Sequence, residues 1–183
     1  MKQTFVVGIG AVVLSAAVFA QAPAGNLDKA LAAAPASMKD GAMVIKWKAD
    51  GSYETLRPGT NRLVCYDQSG DPTEQPFSSQ CTSVGNLERV KQNKEYEAKE
   101  ADRTKREAML TELEKTGKRV KPEFGSVFYT KSGKDMENTR LHVTIAVPGA
   151  TAQSLGMPDN AKMGGAWIMA AGTTGAHIMT PGS

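Results

Sequence analysis

The chain contains only two histidines, His142 and His177, and both fall in stretches that alternate like β-strands. If those strands are neighbours the imidazoles converge, with Met169 or Met179 close by. Imidazole with thioether is a donor set that suits copper in an oxidising compartment. Zinc and copper sites generally take three or four protein ligands, however, and two histidines fall short of that number. His142 and His177 are therefore the candidate metal ligands, with a purely structural role as the stronger expectation, and no cofactor is expected.

Other chemistries leave weaker traces. No Gly-x-Ser-x-Gly elbow is present: Gly125-Ser126 lacks the second glycine at the required spacing. A His-Glu-x-x-His helix and a phosphate-cradling glycine loop are missing too. Gly164-Gly165 precedes a strand and does not open a helix, so it places no helix N-terminus under a phosphate. A carboxylate pair for glycosidic chemistry has no local signature, because its members sit far apart in sequence. Glu54, Asp67 and Glu123 are the candidates for such a pair, none favoured over another. Trp47 and Trp167 offer ligand-stacking faces, although a tryptophan in an alternating strand usually belongs to the core. No catalytic residue is assigned.

Cys65 and Cys81 are the only cysteines. An even count in a short exported chain favours a disulfide. Closing about 15 residues is worth on the order of 3 kcal/mol on the chain-entropy model. The enclosed stretch, with Asp67, Gly70, Asp71, Pro72, Pro76, Ser78 and Ser79, is rich in turn formers and reads as a stapled loop.

Export is expected from the first twenty residues. Lys2 supplies a positive start, residues 5–18 are apolar and uncharged, and Val18-Phe19-Ala20 fits a cleavage site before Gln21. The run is short for a membrane span, which needs about 20 apolar residues. Residues 1–20 are thus expected to be a signal peptide, leaving 163 residues with 21 bases against 19 acids. That near-balance, with the bases interleaved among acids, argues against a nucleic-acid partner. A periplasmic or secreted protein with no membrane span after cleavage is expected.

Residues 21–36 are rich in alanine and proline and read as a flexible leader, with the folded domain spanning 37–183. Residues 42–48 alternate, Asp50-Gly51 turns, 53–56 return, 57–61 turn again, and 63–66 form a third strand, which predicts an antiparallel meander. Residues 86–116 read as one long helix with Asn86 as N-cap, carrying eight acids and eight bases between Glu88 and Lys115. Its apolar residues gather at the ends: Leu87 and Val90, then Ala108, Met109, Leu110 and Leu113. A helix anchored at both ends with a solvated middle follows. Residues 126–130 and 141–147 are strand-like, 150–155 read as a short helix, and 165–170 with 176–180 as a final hairpin. The sum is a single α+β domain: an antiparallel sheet of five to seven strands with one long charged helix between its two halves.

Four spaced strings carry a resemblance: Gly59-Thr60-Asn61 with Cys65, Leu141-His142-Val143 ending in Val147-Pro148, residues 164–169, and residues 176–181. As a set, over residues 37–182, they resemble a group of exported bacterial proteins with no assigned activity. The resemblance implies export and a single domain; the helix here is more charged and poorer in aromatics than in that group.

The functional expectation is a non-enzymatic binding module of the bacterial envelope, with a small molecule or an envelope protein as partner. The alternative is a small metal-dependent or carboxylate hydrolase using His142 and His177 with an acidic residue. Intact-mass analysis of the exported protein is expected to begin at Gln21 or within two or three residues; retention of Met1 in that fraction contradicts the cleavage.

Overall fold

The structure, a computed structural model, describes residues 24–181; the expected signal peptide lies outside the described residues. In chain order the elements are α1 (Ala24–Ala30), α2 (Ala36–Lys39), β1 (Met43–Trp47), β2 (Tyr53–Arg57), β3 (Leu63–Asp67), β4 (Phe77–Ser83), α3 (Leu87–Lys99), α4 (Arg103–Lys115), β5 (Val127–Gly133), β6 (Thr139–Ala146), α5 (Ala152–Leu155), β7 (Trp167–Met169) and β8 (His177–Met179). The fold is α+β, with one eight-stranded sheet in the order β2-β1-β3-β4-β5-β6-β8-β7. The sheet therefore exceeds the expected five to seven strands, and it is mixed, because β1 and β3 run parallel.

The parallel pair replaces the expected meander, and burial explains it. Leu63, Val64, Cys65 and Tyr66 are each at most 3% exposed, so β3 is apolar on both faces and belongs inside the sheet. Strand β2 is exposed over its first three residues and takes the edge. To place β3 on the inner side of β1, the link from β2 must cross the start of β1. Gly59 makes that crossing: a Cβ there would lie 2.5 Å from the Met43 backbone nitrogen.

Strand β4 corrects the expected loop. Ser78, Ser79 and Thr82 are completely buried in the middle of the sheet. Ser79 is small enough for α1 to approach closely, and its Oγ donates to the Ala30 carbonyl at 2.8 Å; on the other face Thr82 Oγ1 accepts from Asn86 and Ser78 meets Glu74. Cys65 faces Cys81 directly across the β3–β4 ladder, and the two form a disulfide. Over this bridge lie Ala30, Leu31 and Ala33, packed with Ala42, Val44 and Leu63. Residues expected to be a flexible leader thus carry α1 and part of the core, because their alanines fit flat against the sheet.

On the opposite face Ile45, Val64 and Tyr66 pack against Val90, with Leu87 and Phe128 at the margin. The segment expected to be one helix is two. Glu100 is extended at φ −145° and ψ 109°, ending α3. Asp102 then caps α4, its Oδ1 accepting from Lys105 N–H at 3.0 Å. One helix from Glu88 to Lys115 would run about 40 Å; doubling back returns Arg119 to α3, where it donates to Gln92 Oε1 at 2.6 Å and to Asn93 Oδ1. The expected anchorage at both ends is also corrected: α3 buries Val90, whereas α4 buries no residue and leaves Met109 37% exposed. Asn86 is not a side-chain cap. Fully buried, it donates to Thr82 Oγ1 and Ser126 Oγ and accepts from Glu123 N–H, tying the start of α3 to the approach to β5.

Paired urea melts test this asymmetry. Val90→Ala is expected to cost about 1–3 kcal/mol through lost burial and a residual cavity. Met109→Ala is expected to stay within about 0.5 kcal/mol. Equal losses contradict the assignment of the helical anchor to α3.

Candidate functional site

The histidines do not converge. His177 is opposite Ala146 in the β6–β8 ladder, four residues along β6 from His142. Both therefore project from one face of the sheet, but about 13 Å apart along the strand direction. Among the described residues no group of three or more His, Cys, Asp and Glu side chains is placed to hold an ion. His142 is exposed. His177 is half-buried, its Nδ1 lying 2.7 Å from the Gly175 carbonyl, with Met169 directly opposite on β7.

The candidate carboxylates are engaged separately. Glu123 accepts from Arg62 Nη2 and Ser83 Oγ, each at 2.5 Å, and these bonds hold its carboxyl below the usual range. Asp67 Oδ1 accepts from Ser69 N–H, ending β3 in a turn. Glu54 stands exposed on β2. Trp167 lies half-buried on β7.

Trp47 belongs to a built site. It ends β1 with its ring edge-on to Tyr53 and Tyr66, centroids 5.5 and 5.8 Å apart. Beside it a groove of about 1000 Å³ opens between the β1–β2 turn, the β3–β4 loop and the second half of α3. Asp50-Gly51 forms the turn, Gly51 at φ +77° and Asp50 accepting from Ser52. Lys94 reaches across to Asp71 at 3.6 Å, with both side chains largely covered, and holds the loop against the helix. Burial works to raise the Asp71 pKa, but hydrogen bonds from Thr73 and the Lys94 charge outweigh it and leave the carboxyl below its ordinary value. Lys99 sits over the Tyr96 ring at 4.5 Å.

Glu95 and Glu97 both line this groove without a hydrogen-bond or ion-pair partner among the described residues, although Lys94 and Asp71 share the same cleft. Glu97 is set apart from Glu95 by its surroundings. Burial pushes its pKa up; Asp71 and Glu74 push the same way, and Lys94 and Arg106 only partly offset them. The indole N–H of Trp47, buried nearby, also lacks an acceptor among the described residues. Sequence reasoning missed Glu97 because it is one of eight acids on a helix pair; only its burial near Asp71 and Glu74 singles it out. Placed within reach of one ligand are an aromatic wall, a partly desolvated carboxylate and an ordered loop.

No family model, curated protein or solved structure matches the chain.

A glutamate with a raised folded-state pKa adds most to stability below its unfolded pKa, and that contribution is lost as pH rises through the folded value. Glu97→Gln keeps the neutral form at every pH. The variant is expected to melt higher than the parent at pH 7 and to lose that advantage below the ordinary glutamate value. Thermal melts at the two pH values check this; a lower melting temperature at pH 7 means the carboxylate has a stabilising partner.

Proposed function

We propose that this protein is an exported, non-enzymatic binding module that takes a small organic cation, a primary amine or quaternary ammonium, in the groove beside Trp47. The carrying observation is Glu97: a carboxylate kept partly out of water beside an aromatic wall, without an ion-pair partner among the described residues. A ligand ammonium supplies the missing charge, and an aromatic ring adds a favourable cation–π contact of about 0.5–2 kcal/mol. The groove has the size of ordinary small-molecule sites, and Lys94–Asp71 orders one wall before a ligand arrives. Export is supported by residues 1–20 and by the buried disulfide, which suits an oxidising compartment. No helix among the described residues is long and apolar enough to cross a membrane. The hydrolase reading loses support, since the two histidines it needs stand four residues out of register.

Fluorescence titration in a Trp167→Phe background, where Trp47 alone reports, tests the reading. Choline and putrescine are expected to give saturable changes that acetate and glycerol do not. Glu97→Gln is expected to weaken binding about tenfold or more, equivalent to about 1.4 kcal/mol. Affinity is also expected to fall as pH drops through the raised Glu97 pKa. Equal binding by the Gln variant, or by acetate, contradicts the assignment.

A further inference from the structure

The β7–β8 hairpin gathers soft metal donors on one face. Met169 is directly opposite His177, and Trp167 is directly opposite Met179. Ile168 and Ile178, one residue out of step, face the other way and pack with Val147 and Ala176. Directly opposed β-carbons in such a ladder lie about 4.5–5.5 Å apart and diagonal neighbours about 7–8 Å. Two flexible thioethers and one imidazole thus share a patch that a single ion can span. We propose that His177, Met169 and Met179 form a binding site for a soft monovalent metal ion, Cu(I) or its analogue Ag(I), with Trp167 shielding it.

Two of the three donors are prepared for that role. A carbonyl oxygen can only accept, so the 2.7 Å contact with Gly175 puts the His177 proton on Nδ1 and leaves the Nε2 lone pair free. Met169 is 45% exposed on the edge strand, so it is not filling a core gap, the ordinary use of methionine. The loop joining the two strands is held in place: Gly149 N–H donates to Thr173 at 2.7 Å and Gly172 N–H to Ala150 at 2.8 Å. Thr174 is further clasped between Glu114 of α4 and Arg89 of α3. A hairpin fixed this way presents its donors without a large ordering cost.

The donor set selects the ion. Thioethers favour Cu(I), whereas zinc prefers thiolate, imidazole and carboxylate, which are not grouped here among the described residues. Arg89 lines the same small cavity as His177, and its guanidinium repels a divalent ion twice as strongly as a monovalent one. Cys65 and Cys81 are joined, so they do not compete for metal while the bridge is intact. The site uses no residue of the Trp47 groove, so either proposal stands if the other fails.

The test is Cu(I) transfer from bicinchoninate under argon with ascorbate, repeated with Ag(I) monitored by tryptophan emission. One equivalent of either ion is expected, with quenching that disappears in Trp167→Phe while uptake persists. Met169→Leu, Met179→Leu and His177→Gln are each expected to weaken binding about tenfold to a hundredfold, at least the loss that removing a mere outer-shell partner causes. Leucine is close to methionine in volume, and circular dichroism verifies that each variant is folded. His142→Gln and Met163→Leu are expected to bind as the parent does. Failure to take up either ion at micromolar concentration overturns the site. So does uptake that survives the Met169→Leu/Met179→Leu double variant, equal affinity for Zn(II), or an equal loss in His142→Gln.

Discussion

Strand β3 is covered on both faces, and most of the architecture follows from that requirement. A strand reading Leu-Val-Cys-Tyr, with every one of these residues buried, must have a paired neighbour on each side and a packed layer above and below. The neighbours are β1 and β4. The layers are α1, flat over the disulfide, and α3, whose Val90 meets Val64 and Tyr66. Placing β2 outside β1 and threading the return through Gly59 is how the chain satisfies the inner pairing first.

The two proposed sites lie on the α3 side of the sheet, at opposite ends of the strand order. The Trp47 groove sits at the β1–β2 end and the soft-donor patch on β7–β8, with the returning α3–α4 pair between. The tie between α4 and the patch is polar, running from Glu114 through Thr174 to Arg89 and on to the Val120 carbonyl. Burial and the neighbouring Arg119 lower the Arg89 pKa to about 10, still far above neutrality, so the guanidinium stays charged and the tie holds at physiological pH. Because α4 buries no residue, this polar contact adds to the half-buried Leu110 and Leu113 in fixing the helix.

The alternating strands and the closing hairpin were legible because period-two apolar patterning survives wherever one face meets a core. The disulfide was legible from the even cysteine count read together with the expected export. Strand β4 was not, since its serines look like turn residues until α1 is seen over Ser79, and Asn86 bonded to Thr82 on the other face. The break between α3 and α4 was hidden because neither glycine nor proline marks it. Asp102 is its signal: an acid in a charged run, distinguishable as a cap only by its bond to Lys105 N–H. His177 stands out in the sequence as one of only two histidines, yet its neighbours depend on which strand lies beside β8. Met169 stands opposite it as the closing hairpin implies, whereas its offset from His142 is a matter of β6–β8 register that no local pattern encodes. Glu97 illustrates the opposite limit, since its distinction from Glu95 comes from burial near Asp71 and Glu74, which other segments supply.

The disulfide lies beneath α1, with neither sulfur-bearing residue exposed to solvent. Thiol–disulfide exchange needs an attacking thiolate to reach one sulfur, so the intact fold shields the bond by geometry. Reduction then has to wait for the seven-residue α1 to lift away, and its rate at low thiol concentration measures the frequency of that local opening. The bridge is in effect a built-in chemical clock for the attachment of the N-terminal helix, and a cell's reductants would read the looseness of that helix long before they met an unfolded chain.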